Sequence, residues 1–153
     1  MNIGQWFEIK TSHDIRALEK AFGGFHDACL REIHLWTEHS VDDKLSMSVS
    51  GDLDNHARVF FQRQFANPSA IEIEFHELCR LNIWPTRDNY DSVIESANIS
   101  FSSGGDIQFL VDMTCESPIE SLPAETRIIA KQVRWRPVEW TGPKLRYRND
   151  DDA

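Results

Sequence analysis

A chain of 153 residues that is 41% apolar and 10% aromatic can bury one hydrophobic core, which sets aside an intrinsically disordered chain. Sixteen basic against twenty-five acidic residues give a formal charge of −9. That charge weighs against general affinity for nucleic acid or an anionic membrane; it suits a basic protein partner and equally serves plain solubility.

The start, Met1-Asn2-Ile3-Gly4-Gln5-Trp6, has neither the basic region nor the apolar run of a signal peptide. No stretch approaches the roughly 20 apolar residues of a bilayer span, so a cytoplasmic location is expected. Cys29, Cys79 and Cys115 are widely spaced and form no CxxC-type pair, which reads as reduced, buried thiols. No repeat or linker divides the chain. The expectation is one domain over 1–140, with a flexible tail over 141–153.

Trp6-Phe7-Glu8-Ile9 can form a short first strand. Thr11 is placed to cap the amide of Asp14, whose carboxylate suits a helix start, and Ile15, Leu18 and Phe22 follow at helical spacing. Gly23-Gly24 ends that helix, predicted over 12–22. The period then changes to two. Cys29, Arg31, Ile33 and Leu35 alternate with Leu30, Glu32, His34 and Trp36, and Asp42-Asp43 marks a turn. Leu45, Met47 and Val49 alternate with Ser46, Ser48 and Ser50, the pattern of a strand with one wet face. Further strands are predicted over 58–65, from Ile71 toward Trp84, and over 94–101, 107–113 and 126–135.

The connections are short and rich in Gly, Asn, Asp, Ser and Pro, as in Ser102-Ser103-Gly104-Gly105-Asp106, which is hairpin chemistry. Parallel strands would need helical crossovers, and no such alternation follows Gly24. The fold class expected is α+β. One N-terminal helix packs on a strongly twisted, mostly antiparallel meander of six to eight strands, open or curled toward a barrel.

Two places carry candidate chemistry. His26 and Asp27 stand at the corner where the helix gives way to a strand. A carboxylate beside an imidazole suits acid–base work, and the same polar pair can simply fix the turn. Glu72, Glu74 and His76 at i, i+2 and i+4 share one face of a strand and are candidate binding groups for a metal or a shared proton. Ile71, Ile73 and Phe75 opposite them mark the core face, which makes the glutamate face an ordinary solvated one. His26, His34 and His56 are the histidines available to join them. No nucleophile elbow, Walker A loop, HExxH, GxGxxG or EF-hand pattern occurs, and nothing calls for a cofactor or a resident metal. Seven of the sixteen basic residues lie from Arg127 to Arg148, interleaved with Trp135, Trp140 and Tyr147. They suit neutralisation of an acidic body and cation–π stacking better than a nucleic-acid surface.

The stretch Phe22-Gly23-Gly24-Phe25-His26-Asp27-Ala28-Cys29-Leu30-Arg31-Glu32-Ile33 resembles the opening of several small bacterial protein families. In these a Phe-His-Asp segment precedes a run of strands ending in a tryptophan-containing one, here Val133-Arg134-Trp135. Some of those families are similar to immunity proteins of polymorphic toxin systems. The resemblance implies a bacterial, cytoplasmic α+β protein that acts by binding another protein, and it carries over no catalytic residue.

The expected function is therefore a non-enzymatic protein-binding domain, immunity-like, offering an acidic surface or a sheet edge. Two alternatives stand beside it: a small metal-dependent or acid–base enzyme using His26, Asp27, Glu72, Glu74 and His76, and a small-ligand-binding barrel.

Overall fold

Thr11 caps the one α-helix found among the described residues. Its hydroxyl accepts from the Asp14 amide, and the Asp14 carboxylate accepts from the Thr11 amide at 2.7 Å, a reciprocal capping box. The helix α1 (Ser12–Ala21) stops at Phe22, and a 3₁₀ turn (Gly23–Phe25) follows. Gly23 and Gly24 both take left-handed φ, 60° and 64°, as the glycine pair predicts. The computed structural model describes residues 2–52, 54–85, 92–112 and 125–148.

Nine strands accompany the helix among the described residues: β1 (Phe7–Ile9), β2 (Ala28–Thr37), β3 (Ser40–Val41), β4 (Met47–Ser48), β5 (Asn55–Arg63), β6 (Ala70–Asn82), β7 (Ser96–Phe101), β8 (Ile107–Asp112) and β9 (Glu125–Val138). Seven form one antiparallel sheet in the order β2-β5-β6-β9-β8-β7, with β1 beside the far end of β9. The β3–β4 hairpin stands apart as a separate two-stranded piece. Two meanders, β2-β5-β6 and β7-β8-β9, are thus joined along the long β6–β9 pair.

The sheet is not closed into a barrel. Its outer strands approach at an isolated bridge, Ala28 with Ile94, just ahead of β7. The curled sheet wraps α1, so Ile15, Leu18, Phe22 and Phe25 meet the inward side chains of the strands in one core. Phe25 packs edge-on against Phe22, Phe61 and Phe109 at centroid distances of 5.2–5.3 Å, and the concave side is filled rather than hollow. No helix among the described residues is long and apolar enough to cross a membrane.

Several local expectations are corrected. Strict alternation along β2 fails, because a register shift between Leu30 and Glu32 inserts one residue. Leu30 faces the core opposite Phe61, whereas Glu32 joins Phe60 on the outer face. The thiols are not uniformly buried, since Cys29 is half-buried and Cys79 exposed; Cys115 lies outside the described residues. The apolar side of 45–49 covers no core, for Leu45, Met47 and Val49 are all exposed. Residues 141–148, ahead of the chain end, lie across the outer face, where Arg31 Nη2 donates to the Pro143 carbonyl at 2.5 Å. Residues 149–153 lie outside the described residues.

Candidate functional site

The convex face of the sheet is where polar chemistry gathers, and strand register builds it row by row. One row runs Glu32, Phe60, Glu72 and Arg136 across β2, β5, β6 and β9. The next runs His34, Arg58, Glu74 and Arg134, with Glu8 of β1 beyond. The third brings Trp36 against His56 on β5, with His76 and Gln132 level on β6 and β9. Side chains directly opposite on one face stand about 5 Å apart, so each row is a line of contacts.

Glu72 and Glu74 are buried, with relative exposures of 0% and 1%, which overturns the solvated face expected for them. The alternation of Ile71, Ile73 and Phe75 with Glu72 and Glu74 is real, but both sides of β6 are covered. Arg136 donates to Glu72 Oε1 from Nε and Nη2, Arg146 Nη2 donates to the same oxygen at 3.0 Å, and the Tyr147 hydroxyl donates to Oε2 at 3.2 Å. Glu74 receives Arg58 on Oε2 at 2.9 and 2.5 Å, Arg134 on Oε1 at 3.0 and 2.6 Å, and His76 Nε2 on Oε1. Burial alone would raise both carboxyls. The arginine hydrogen bonds and charges outweigh it and hold each below its ordinary value. Burial and the neighbouring Glu72 charge push the Tyr147 phenol upward, so it remains a donor.

Two flanking segments roof this layer. Trp6, just before β1, lies against the guanidinium groups of Arg134 and Arg136, 4.5 and 4.4 Å from its ring centroid. On the other side the bulge in β2 aims Glu32 outward, where its carboxylate accepts the backbone amides of Arg146 and Tyr147 at 2.5 and 3.2 Å. Trp140 Nε1 closes the segment onto the Lys144 carbonyl at 3.0 Å. The basic cluster expected to neutralise the acidic body and stack on aromatic rings does so here, in a layer one residue deep.

The third row differs in kind. His56 Nδ1 and His76 Nδ1 lie 3.3 Å apart, and the far nitrogens reach carboxylates: His76 Nε2 meets Glu74, and His56 Nε2 is 3.3 Å from Glu38. After His76 the strand bends, with Glu77 at φ 54° and a register shift between Leu78 and Arg80. Both histidines consequently line a cleft of about 680 Å³, together with Glu77, Lys131, Gln132 and Phe101.

The five residues singled out in the sequence fall in two separate places. His26 and Asp27 sit at the helix–strand corner. His26 Nδ1 meets the Glu95 carbonyl at 3.0 Å and His26 Nε2 is 3.9 Å from the Asp27 carboxylate, the histidine being exposed and the aspartate half-buried. Asp27 has φ 60°, and its backbone bonds Ile94 and Gln64, a turn-fixing role. Along β2, Asp27 lies nine positions before Trp36, which stands level with His76. At about 3.3 Å per residue that separates the corner from the histidine row by about 25–30 Å. Of the available histidines His56 joins His76, while His34 packs edge-on against Tyr147 and Trp36. Among the described residues no three His, Cys, Asp or Glu side chains gather as a metal-binding group.

Arg58, Arg134, Arg136 and Arg146 are the side chains whose pairing with Glu72 and Glu74 strand pattern alone does not reveal. Their partners lie 16 to 74 positions away in sequence, and only the pairing register brings them together. Compared with protein-family models, curated proteins and solved structures, the chain finds no match.

Proposed function

We propose that the chain is a non-enzymatic protein-binding domain, immunity-like in mode, that docks a basic partner through the hairpin formed by β3 and β4. The observation that carries this reading is the hairpin's composition and exposure. Val41 and Met47 are cross-strand partners on one hairpin face, Val49 continues it, and Leu45 at the tip is 87% exposed. Apolar side chains grouped this way favour a partner surface over water. Residues 38–52 carry Glu38, Asp42, Asp43 and Asp52 against Lys44 alone, a local charge of −3.

The rest of the surface supports the same partner chemistry. The four arginines and two glutamates of the convex layer bind each other and sum to +2, so the remaining chain carries −11. Such a field steers a basic protein and repels an acidic one. The hairpin is presented on a defined base: the Glu38 amide donates to the Asp54 carbonyl at 3.1 Å, and His39 Nδ1 contacts the buried Asp54 carboxylate. The resemblance of residues 22–33 to immunity-like families agrees with a binding role and a bacterial, cytoplasmic setting.

Affinity capture from the native cell, at low and at high ionic strength, with wild type and a Leu45→Asp/Met47→Asp variant, tests the proposal. Enrichment of one basic protein at low salt, lost at high salt and in the variant, is expected. Absence of any basic protein at low salt, or equal capture by the variant, would overturn it.

A further inference from the structure

We propose that the facing Nδ1 atoms of His56 and His76 form a binding site for a borderline divalent cation such as Zn²⁺ or Cu²⁺, completed by water or a small ligand in the cleft. The donor spacing is the first reason. Two imidazole nitrogens bound to a tetrahedral ion at about 2.05 Å are separated by about 3.3 Å, and the two Nδ1 atoms stand 3.3 Å apart.

The second reason is how the rings are held. A metal-bound histidine donates its other ring N–H to a carboxylate or carbonyl, which fixes the tautomer and aims the lone pair. Here His76 Nε2 has that arrangement on Glu74, and His56 Nε2 stands 3.3 Å from the Glu38 carboxylate at ion-pair distance. Were both Nε2 positions protonated, both Nδ1 atoms would be acceptors at hydrogen-bond distance from each other, an arrangement that a cation between them relieves. The Glu77 amide also donates to His56 Nδ1 at 3.3 Å, a distance longer than most N–H hydrogen bonds, and a bound cation would displace it.

Access is the third reason. His56 and His76 both line the 680 Å³ cleft, so an ion keeps room for its remaining ligands on that side. Charge near the pair is balanced, with Glu38, Glu74 and Glu77 against Arg58, Lys131 and Arg134, and the nitrogen donors rather than the local field select the ion. Imidazole donors favour Zn²⁺, Cu²⁺ and Ni²⁺ over Mg²⁺ and Ca²⁺.

Calorimetric titration of the chelator-treated full chain with ZnCl₂, CuCl₂ and MgCl₂ provides the test. One equivalent of Zn²⁺ or Cu²⁺ and no Mg²⁺ is expected to bind, and His56→Gln and His76→Gln each to lower affinity at least about tenfold. His13→Gln and His26→Gln serve as controls and are expected to leave it unchanged. Histidine ring ¹⁵N shifts of the wild type supply a reading that does not depend on variant folding, with Zn²⁺ moving the Nδ1 resonances of His56 and His76. No Zn²⁺ or Cu²⁺ binding, equal binding by the His56 and His76 variants, or a proton retained between the two Nδ1 atoms at saturating Zn²⁺ would each overturn the proposal.

Discussion

Arg136 grips one oxygen of Glu72 from both Nε (3.0 Å) and Nη2 (2.6 Å), leaving the other oxygen to the Tyr147 hydroxyl at 3.2 Å. The carboxylate is fully buried and joins β6, β9 and the C-terminal segment at one point. Removing only the charge leaves Arg136 and Arg146 facing a neutral group. Glu72→Gln is therefore expected to destabilise the fold by about 3–5 kcal/mol. Tyr147→Phe removes one hydrogen bond to a charged acceptor and is expected to cost about 1.5 kcal/mol. Urea unfolding monitored by tryptophan fluorescence separates the two. A Glu72→Gln cost below that of Tyr147→Phe would mean the carboxylate is not the junction described.

Acid sensitivity follows from the same layer. Glu72 and Glu74 both lie below the ordinary value of 4.5 when folded, so each binds its proton less readily in the folded than in the unfolded chain. Their stabilisation is complete above the unfolded value and is lost as pH falls through the lower folded values. The urea midpoint is expected to decline steeply below about pH 4.5. In a Glu74→Gln variant that decline should be shallower, starting from a lower plateau. An identical slope in variant and wild type would place the acid-sensitive groups elsewhere.

Trp6 tests the aromatic roof. Trp6→Leu keeps apolar bulk but removes the ring over Arg134 and Arg136, with an expected loss of about 1–2 kcal/mol. Trp6→Phe should fall between leucine and wild type in a thermal melt. Equal stability of all three would reduce the contact to simple coverage.

The helix cap is a separable element. Thr11→Ala removes the hydroxyl that accepts from the Asp14 amide and is expected to cost about 1 kcal/mol. Thr11→Ser, which retains the acceptor, should be nearly neutral in the same urea experiment. Equal losses in both variants would point to the methyl group instead.

These features differ in how far local sequence discloses them. The capping box at Thr11 and Asp14, the stop at Gly23-Gly24 and the turn at 102–105 are legible because each is fixed by residues within four positions. Alternation also places Glu72, Glu74 and His76 on one face, as observed. Their burial is not legible, because a charged face looks solvated until its arginines arrive from β5, β9 and residue 146. The bulge before Glu32 is hidden for a related reason. Ordinary alternation continues on both sides of it, and only the pairing of Leu30 with Phe61 and Glu32 with Phe60 exposes the extra residue.

The binding role is tested most directly by photo-crosslinking in the native cell, with a photoreactive residue replacing Leu45 at the hairpin tip or Glu19 on α1. A specific adduct with a basic protein from position 45, and none from position 19, is the expected result. No adduct from position 45, or the same adduct from both positions, would contradict docking through the hairpin.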